Sequence, residues 1–290
     1  MRVDEPTAVP LLGAFARIFS RPTVNDLAVA FEDHALTQVQ LNLSALGLPT
    51  IPRGDELRRL DVAAIQRTFG LHGSTVWGVS ATFNTAHPDP DVRKHDTADA
   101  ARFIAALGDS GAVAATLCSG SRDPANMWGR HPDTASEAAW SDFRRSLDAL
   151  LPSAEAAGVL LAIEPEPANT VSGTDRALRL IDELGPDADT IGFILDPANL
   201  IDGVAADDRR STLERAFDAL GDRAICVHAK DTVPWAQTLA GAGVVDYDLV
   251  GRLHAALPQP VPVVIQDASE TEIDAVAALV RERVFAGAAA

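Results

Sequence analysis

Residues 159–166 read V-L-L-A-I-E-P-E, 191–200 read I-G-F-I-L-D-P-A-N-L, 225–231 read I-C-V-H-A-K-D and 261–267 read V-P-V-V-I-Q-D. Each stretch is a short apolar run that stops at one polar residue: Glu164, Asp196, His228 and Gln266. Strand side chains alternate between two faces, so a run that is apolar at nearly every position is buried on both. That is the pattern of parallel strands covered by helices.

The same pattern recurs outward along the chain. Apolar runs at 13–19, 38–43, 75–80 and 112–118 precede strands over 159–164, 190–196, 225–229 and 262–266. Helical patterns lie between them, at 24–34, 61–72, 97–107, 134–157, 174–184, 207–220, 246–257 and 269–285. Val62, Ile65 and Phe69 recur at spacings of three and four, and Trp140, Phe143, Leu147 and Leu150 fall along one helical face. Thr134 and Thr174 read as N-caps, and S-E-T-E at 269–272 has the spacing of a capping box. Pro6 and Pro10 precede the first strand and Arg17 interrupts it. Eight strand–helix units in 290 residues predict an α/β chain forming a single (β/α)8 TIM barrel over 1–290. No Gly-rich loop follows the first strand, which removes the main signal for a dinucleotide-binding sheet.

Composition narrows the function. Hydrophobic residues make up 47% of the chain and charged residues 22%, enough for a sizeable core. A net charge of −17 repels phosphate backbones and offers no basic patch to an anionic membrane, so no nucleic-acid or membrane partner is expected. Cys118 and Cys226 sit in apolar runs and read as small core residues rather than a disulfide or a metal motif. The N-terminal M-R-V-D-E-P-T-A-V-P-L-L-G carries acids early and no long apolar stretch, so a cytoplasmic protein is expected.

Active sites of such barrels lie at the C-terminal ends of the strands. Glu164, Asp196, His228 and Gln266 end strands five to eight, which are neighbours around the mouth. One acid after a strand is usually a cap, as Asp196 before Pro197 could be, and a lone strand histidine is usually a core residue. Four such residues on successive strands carry a different reading. Two buried carboxylates beside an imidazole are costly to desolvate without a cation. Oxygen and imidazole donors suit one divalent ion, Mn²⁺ first, with Mg²⁺, Co²⁺ or Zn²⁺ as alternatives.

The segments A-I-E-P-E (162–166), D-P-A-N-L (196–200), V-H-A-K-D (227–231) and G-A-G-V-V-D (241–246) together resemble the xylose isomerase-like barrel superfamily of sugar-phosphate isomerases and epimerases. F-N-T-A-H-P-D (83–89) and W-G-R-H-P-D (128–133) extend the likeness, which runs from about the second strand to the end. The resemblance implies a metal held by Glu164, Asp196, His228 and Gln266, and proton transfer beside a carbonyl of a small polyhydroxylated substrate through a metal-stabilised enediolate. It also implies a homodimer or homotetramer. The chain departs from the family pattern at Gln266, where Glu is usual. It departs again at Asn199, where His is frequent, and at Pro234, where several epimerases have Arg.

Gln266 can coordinate through its amide oxygen but cannot act as a carboxylate base. Epimerisation needs a proton-handling group on each face of one carbon, so the change favours chemistry with one principal base, an isomerisation or an elimination. Glu164, His131 and Lys230 are the catalytic candidates, and Asn84, His87, Trp128, Glu166, Asn199 and Asp231 the substrate-binding ones. His87 and His131 lie in H-P-D contexts, where Asp89 and Asp133 can also cap the next helix. Three rival readings share the barrel, an endonuclease among them. One is a lyase or dehydratase acting on a keto-inositol or keto-glycoside, and another is a non-catalytic carbohydrate-binding barrel. A three-metal endonuclease of the superfamily needs many His ligands and a basic groove, against seven histidines and the charge of −17.

Overall fold

The structure is a computed structural model that describes residues 10–233 and 236–286; Pro6 and Pro234 lie outside the described residues. The apolar runs form strands β1 (Leu12–Phe15), β2 (Gln38–Leu41), β3 (Thr75–Ser80), β4 (Ala114–Leu117), β5 (Leu160–Ile163), β6 (Ile191–Leu195) and β7 (Ala224–Ala229). A short hairpin, β8 (Asp231–Val233) and β9 (Ala236–Thr238), precedes the last barrel strand, β10 (Val263–Ile265). β1 pairs in parallel with both β2 and β10, so eight strands close a barrel in the order β1-β10-β7-β6-β5-β4-β3-β2. This is the single (β/α)8 TIM barrel that the apolar runs predict.

Helices α1 (Val24–Asp33), α2 (Gly54–Arg59), α3 (Val62–Leu71), α4 (Pro90–Ala105), α5 (Glu137–Ala157), α6 (Thr174–Leu184), α7 (Pro197–Ile201), α8 (Arg209–Leu220), α9 (Tyr247–Ala255) and α10 (Ile273–Val280) connect the strands. Trp140, Phe143, Leu147 and Leu150 of α5 are all buried, as their spacing predicts. Phe31 meets Phe19 and Phe69 edge-on at 5.1 and 5.6 Å in the main core. Phe15, Trp77, Ala114, Ala162, Ile194, Cys226 and Val264 form a separate apolar cluster contributed by the barrel strands, and Cys118 and Cys226 are free and buried.

Several boundaries differ from the sequence pattern, each for a local reason. β1 stops at Phe15 and Arg17 falls in a 3-10 turn, Ala16–Ile18. α4 begins at Pro90 rather than residue 97, because the Asp89 carboxylate caps Asp91 and Val92 and Pro90 suits the first helical turn. Its face buries Arg93 and Asp99, so apolar periodicity understates it. Thr134 is not the cap of α5: Ser136 is, accepting from Ala139 N–H after a 3-10 turn at Pro132–Ala135. Thr174 is the first residue of α6, and Gly173 precedes it. Ser269 and Glu272 do bond to each other, but in the turn ahead of α10.

Among the described residues, no helix is long and apolar enough to cross a membrane.

Candidate metal centre

Alternation places the site. Ala162, Ile194, Cys226 and Val264 of the barrel-strand cluster each stand two residues before a polar residue, so Glu164, Asp196, His228 and Gln266 share its inward direction one layer nearer the mouth. Pro165 and Pro197 end their strands immediately afterwards.

Asp196, Glu164 and His228 each have one atom tied and another turned to a common point. Asp196 Oδ1 accepts from the backbone N–H of Ala198 and Asn199, at 2.9 and 3.1 Å. Glu164 Oε1 accepts from the Asn199 side-chain amide and lies 3.4 Å from Lys230 Nζ. His228 Nε2 donates to Gln40 Oε1 at 2.8 Å, which turns Nδ1 toward the two carboxylates. That Nδ1 is 3.2 Å from Glu164 Oε2 and 3.6 Å from Asp196 Oδ2. Candidate ligand atoms of Glu164, Asp196 and His228 all lie within 4.8 Å of one another.

Asp196 Oδ2, His228 Nδ1 and Gln266 Oε1 are buried and have no partner in hydrogen-bond geometry, despite the short ion-pair distances. Distance alone does not satisfy a lone pair; direction does. Three orphaned donor atoms on three strands, one nitrogen and two oxygens, fit a divalent cation.

The electrostatics agree. Burial disfavours the charged Glu164, but Lys230 and His228 outweigh it and hold its carboxyl well below the usual range. Burial keeps Asp196 above its ordinary value. Burial lowers the His228 imidazole, yet Glu164 and Asp196 overcome that and hold it up at about 9. Lys230 is likewise raised by Asp196 and Glu164 against its own burial. The cluster draws in positive charge. Glu166 is pushed up to about 8, by burial first and the Glu164 charge second.

The mouth holds a cavity of about 350 Å³. Glu164, Glu166, Trp128, Asn199, Lys230 and Gln266 line it, and Asp196 and His228 are buried beside it. Asp267, next to Gln266, adopts a left-handed conformation, φ 57°, and turns to Arg17 at 3.6 Å on the rim. Four candidates stand elsewhere. Asn84 and His87 line a separate surface groove; Asn84 accepts from Ser121 N–H and His87 Nδ1 from Asp89 N–H. His131 does not line the cavity, and its Nδ1 caps the 3-10 turn by accepting from Asp133 N–H. Asp231 is fully buried and accepts from the backbone N–H of Thr232, Gly241 and Val245. A Cβ at Gly243 would collide with its Oδ1, so the loop closes tightly around it.

The sequence pattern missed Gln40, Arg17, Asn169, Gln237, Arg130 and Asp202. Gln40 had a signal, a polar residue inside the run Q-V-Q-L. Gln237 lies in the short strand β9, and the others lie in turns and loops that carry no periodicity. Gln237 donates to Asn199 Oδ1 at 3.2 Å, and Arg130 pairs with Asp202 at 2.8 Å.

A model of the xylose isomerase-like TIM barrel family matches residues 33–257. No curated protein matches the sequence. Among solved structures, a putative xylose isomerase from Rhodospirillum rubrum is 16% identical with a TM-score of 0.75, over 96% of this chain and 99% of that one. A 3-keto-D-glucoside 4-epimerase from E. coli is 14% identical with a TM-score of 0.70, over 94% and 99%. A D-psicose 3-epimerase from Clostridium cellulolyticum H10 is 14% identical with a TM-score of 0.69, over 94% and 98%.

Proposed function

The chain belongs to the xylose isomerase-like TIM barrel family, and from that premise we propose that it is a divalent-metal-dependent isomerase or epimerase of a keto-sugar or related polyol, with Mn²⁺ as the ion. One observation carries the reading. Ligand atoms of Glu164, Asp196 and His228 converge from successive strand ends, Gln266 lines the same cavity, and the inward atoms of Asp196, His228 and Gln266 are buried without a hydrogen bond. The names of the epimerase neighbours support the substrate class.

Glu164 Oε2, Asp196 Oδ2, His228 Nδ1 and Gln266 Oε1 would hold the ion. When bound, it supplies Lewis-acid polarisation of adjacent substrate oxygens and lowers the cost of removing a neighbouring carbon-bound proton. The chain supplies the rest. Glu164 Oε1 accepts from the Asn199 amide and Oε2 would face the ion, so Glu164 orients rather than carries the proton. The Glu166 carboxyl faces the cavity and takes the proton from carbon. Lys230 Nζ sets an ammonium beside the oxygen on which charge develops. Trp128, 46% exposed at the rim, offers a ring face to a sugar. Gln266 leaves the opposite face without a second Glu, which keeps a lyase acting on a keto-inositol or keto-glycoside as the second reading.

Chelator-stripped protein reloaded with Mn²⁺ and given free and phosphorylated keto-sugars and keto-inositols in D₂O tests both readings. Deuterium at the carbon beside the carbonyl, dependent on Mn²⁺, supports the isomerase. An unsaturated ketone absorbing in the ultraviolet identifies the lyase. A protein that takes up no divalent ion at neutral pH overturns both and leaves a binding barrel.

A further inference from the structure

The Glu164–Asp196 pair has a second claimant. Lys230 follows His228 by two residues, so its side chain returns to the same inner face. It is 4% exposed, and its Nζ lies 3.0 Å from Asp196 Oδ2 and 3.4 Å from Glu164 Oε1. Its backbone carbonyl accepts from Tyr247 Oη at 2.8 Å, which anchors the residue in place. Asp196 Oδ2 is also one of the atoms turned to the common point with His228 Nδ1, 3.6 Å away. An ammonium and an ion are therefore directed at the same carboxylates.

We infer that Lys230 is an internal cation sharing the ion's two carboxylates, which holds divalent affinity below what the four ligands alone would give and leaves the loaded centre with one net positive charge. The inference rests on the metal-centre reading above. Two cations a few ångströms apart among buried side chains repel strongly. A carboxylate already paired with an ammonium is also a weaker donor to a second cation. The two carboxylates balance a divalent ion, His228 enters as a neutral ligand and Gln266 adds no charge. The ammonium is then unbalanced once Glu166, the further carboxylate lining the cavity, has taken the proton.

That surplus suits a ligand oxygen bearing one negative charge over its neutral form, which is the discrimination that an enzyme building charge on oxygen needs. Gln266 belongs to the same device, because a Glu there would cancel the surplus. Weaker metal binding is what a net positive centre costs.

Calorimetric titration of the chelator-stripped chain with Mn²⁺ tests the inference without any turnover. Lys230→Met keeps the length of the side chain and removes the charge; it tightens Mn²⁺ binding at least tenfold, and Lys230→Gln does the same. Thermal melting of each variant separates a lost fold from a changed affinity. Equal or weaker binding by folded variants overturns the inference. A second arm needs only the wild type. Azide added to the Co²⁺-loaded chain shifts its visible spectrum, and Lys230→Met needs at least tenfold more azide. A wild type that binds no azide overturns the net positive charge even if neither variant folds. If wild type and variants alike take up no divalent ion, the metal-centre reading falls, and the inference with it.

Discussion

Gln40 of β2 fixes the imidazole of His228 on β7: its Oε1 lies 2.8 Å from Nε2, and both side chains are buried. The bond fixes Nε2 as the donor, so Nδ1 faces Glu164 and Asp196 and is the nitrogen left for an ion. Outer partners of a ligating histidine set ring orientation and basicity. Gln40→Leu therefore weakens Mn²⁺ binding by about 10- to 100-fold, with little change in melting temperature. Calorimetric titration checks it. Unchanged affinity would show that the ring is held by packing alone.

The Asp231 carboxylate is tied into its own loop. It accepts three backbone N–H groups from Thr232, Gly241 and Val245, and its removal leaves those donors unpaired. Asp231→Ala is expected to cost about 3 kcal/mol of stability, measured by urea denaturation. Substrate KM, measured below the transition, moves less than stability does. A variant as stable as wild type but raised in KM would return Asp231 to the substrate.

Trp128 stands at the rim of the cavity and half of its surface is open. If a sugar ring stacks on it, Trp128→Ala raises KM about five- to tenfold and leaves kcat nearly unchanged, because uniform binding is lost. Steady-state kinetics on the substrate found in the D₂O screen reads this directly. A fall in kcat at constant KM contradicts a stacking role.

His254 makes stability depend on pH away from the metal centre. Burial lowers its pKa below the ordinary 6.5, outweighing the Val261 carbonyl that its Nε2 meets at 2.9 Å. Below 6.5 the unfolded chain binds a proton that the folded chain resists. The contribution is thus full above 6.5 and is lost as pH falls through the depressed folded value, at no more than about 1.4 kcal/mol per pH unit. Melting temperatures of wild type and His254→Gln, compared between pH 7 and 5, should converge toward the acid end. Parallel curves would remove His254 as the cause.

His131 illustrates where order along the chain stops being informative. It follows a strand and sits in an H-P-D context, as a catalytic histidine could. Its Nδ1 instead accepts a backbone amide that would otherwise go unpaired at the start of a short turn. Caps and catalytic groups use the same residue types, and only the direction of the side chain separates them. Glu166 and Lys230, by contrast, lie on the inward face because each follows a ligand by two, and that parity was readable from the start.

The sequence by itself determined the eight-strand barrel, the polar residues that end strands five to eight and the layer they share, because burial on both faces and a period of two are properties of the chain's order. Tertiary structure alone decided that Gln40 holds His228, that Asn199 ties Glu164 to Asp196, that Asp231 is spent on its loop and that Lys230 shares the ligand carboxylates. Those partners come from distant strands and aperiodic loops. Which lone pairs remain unpaired, and so open to a metal, is a property of closure in three dimensions.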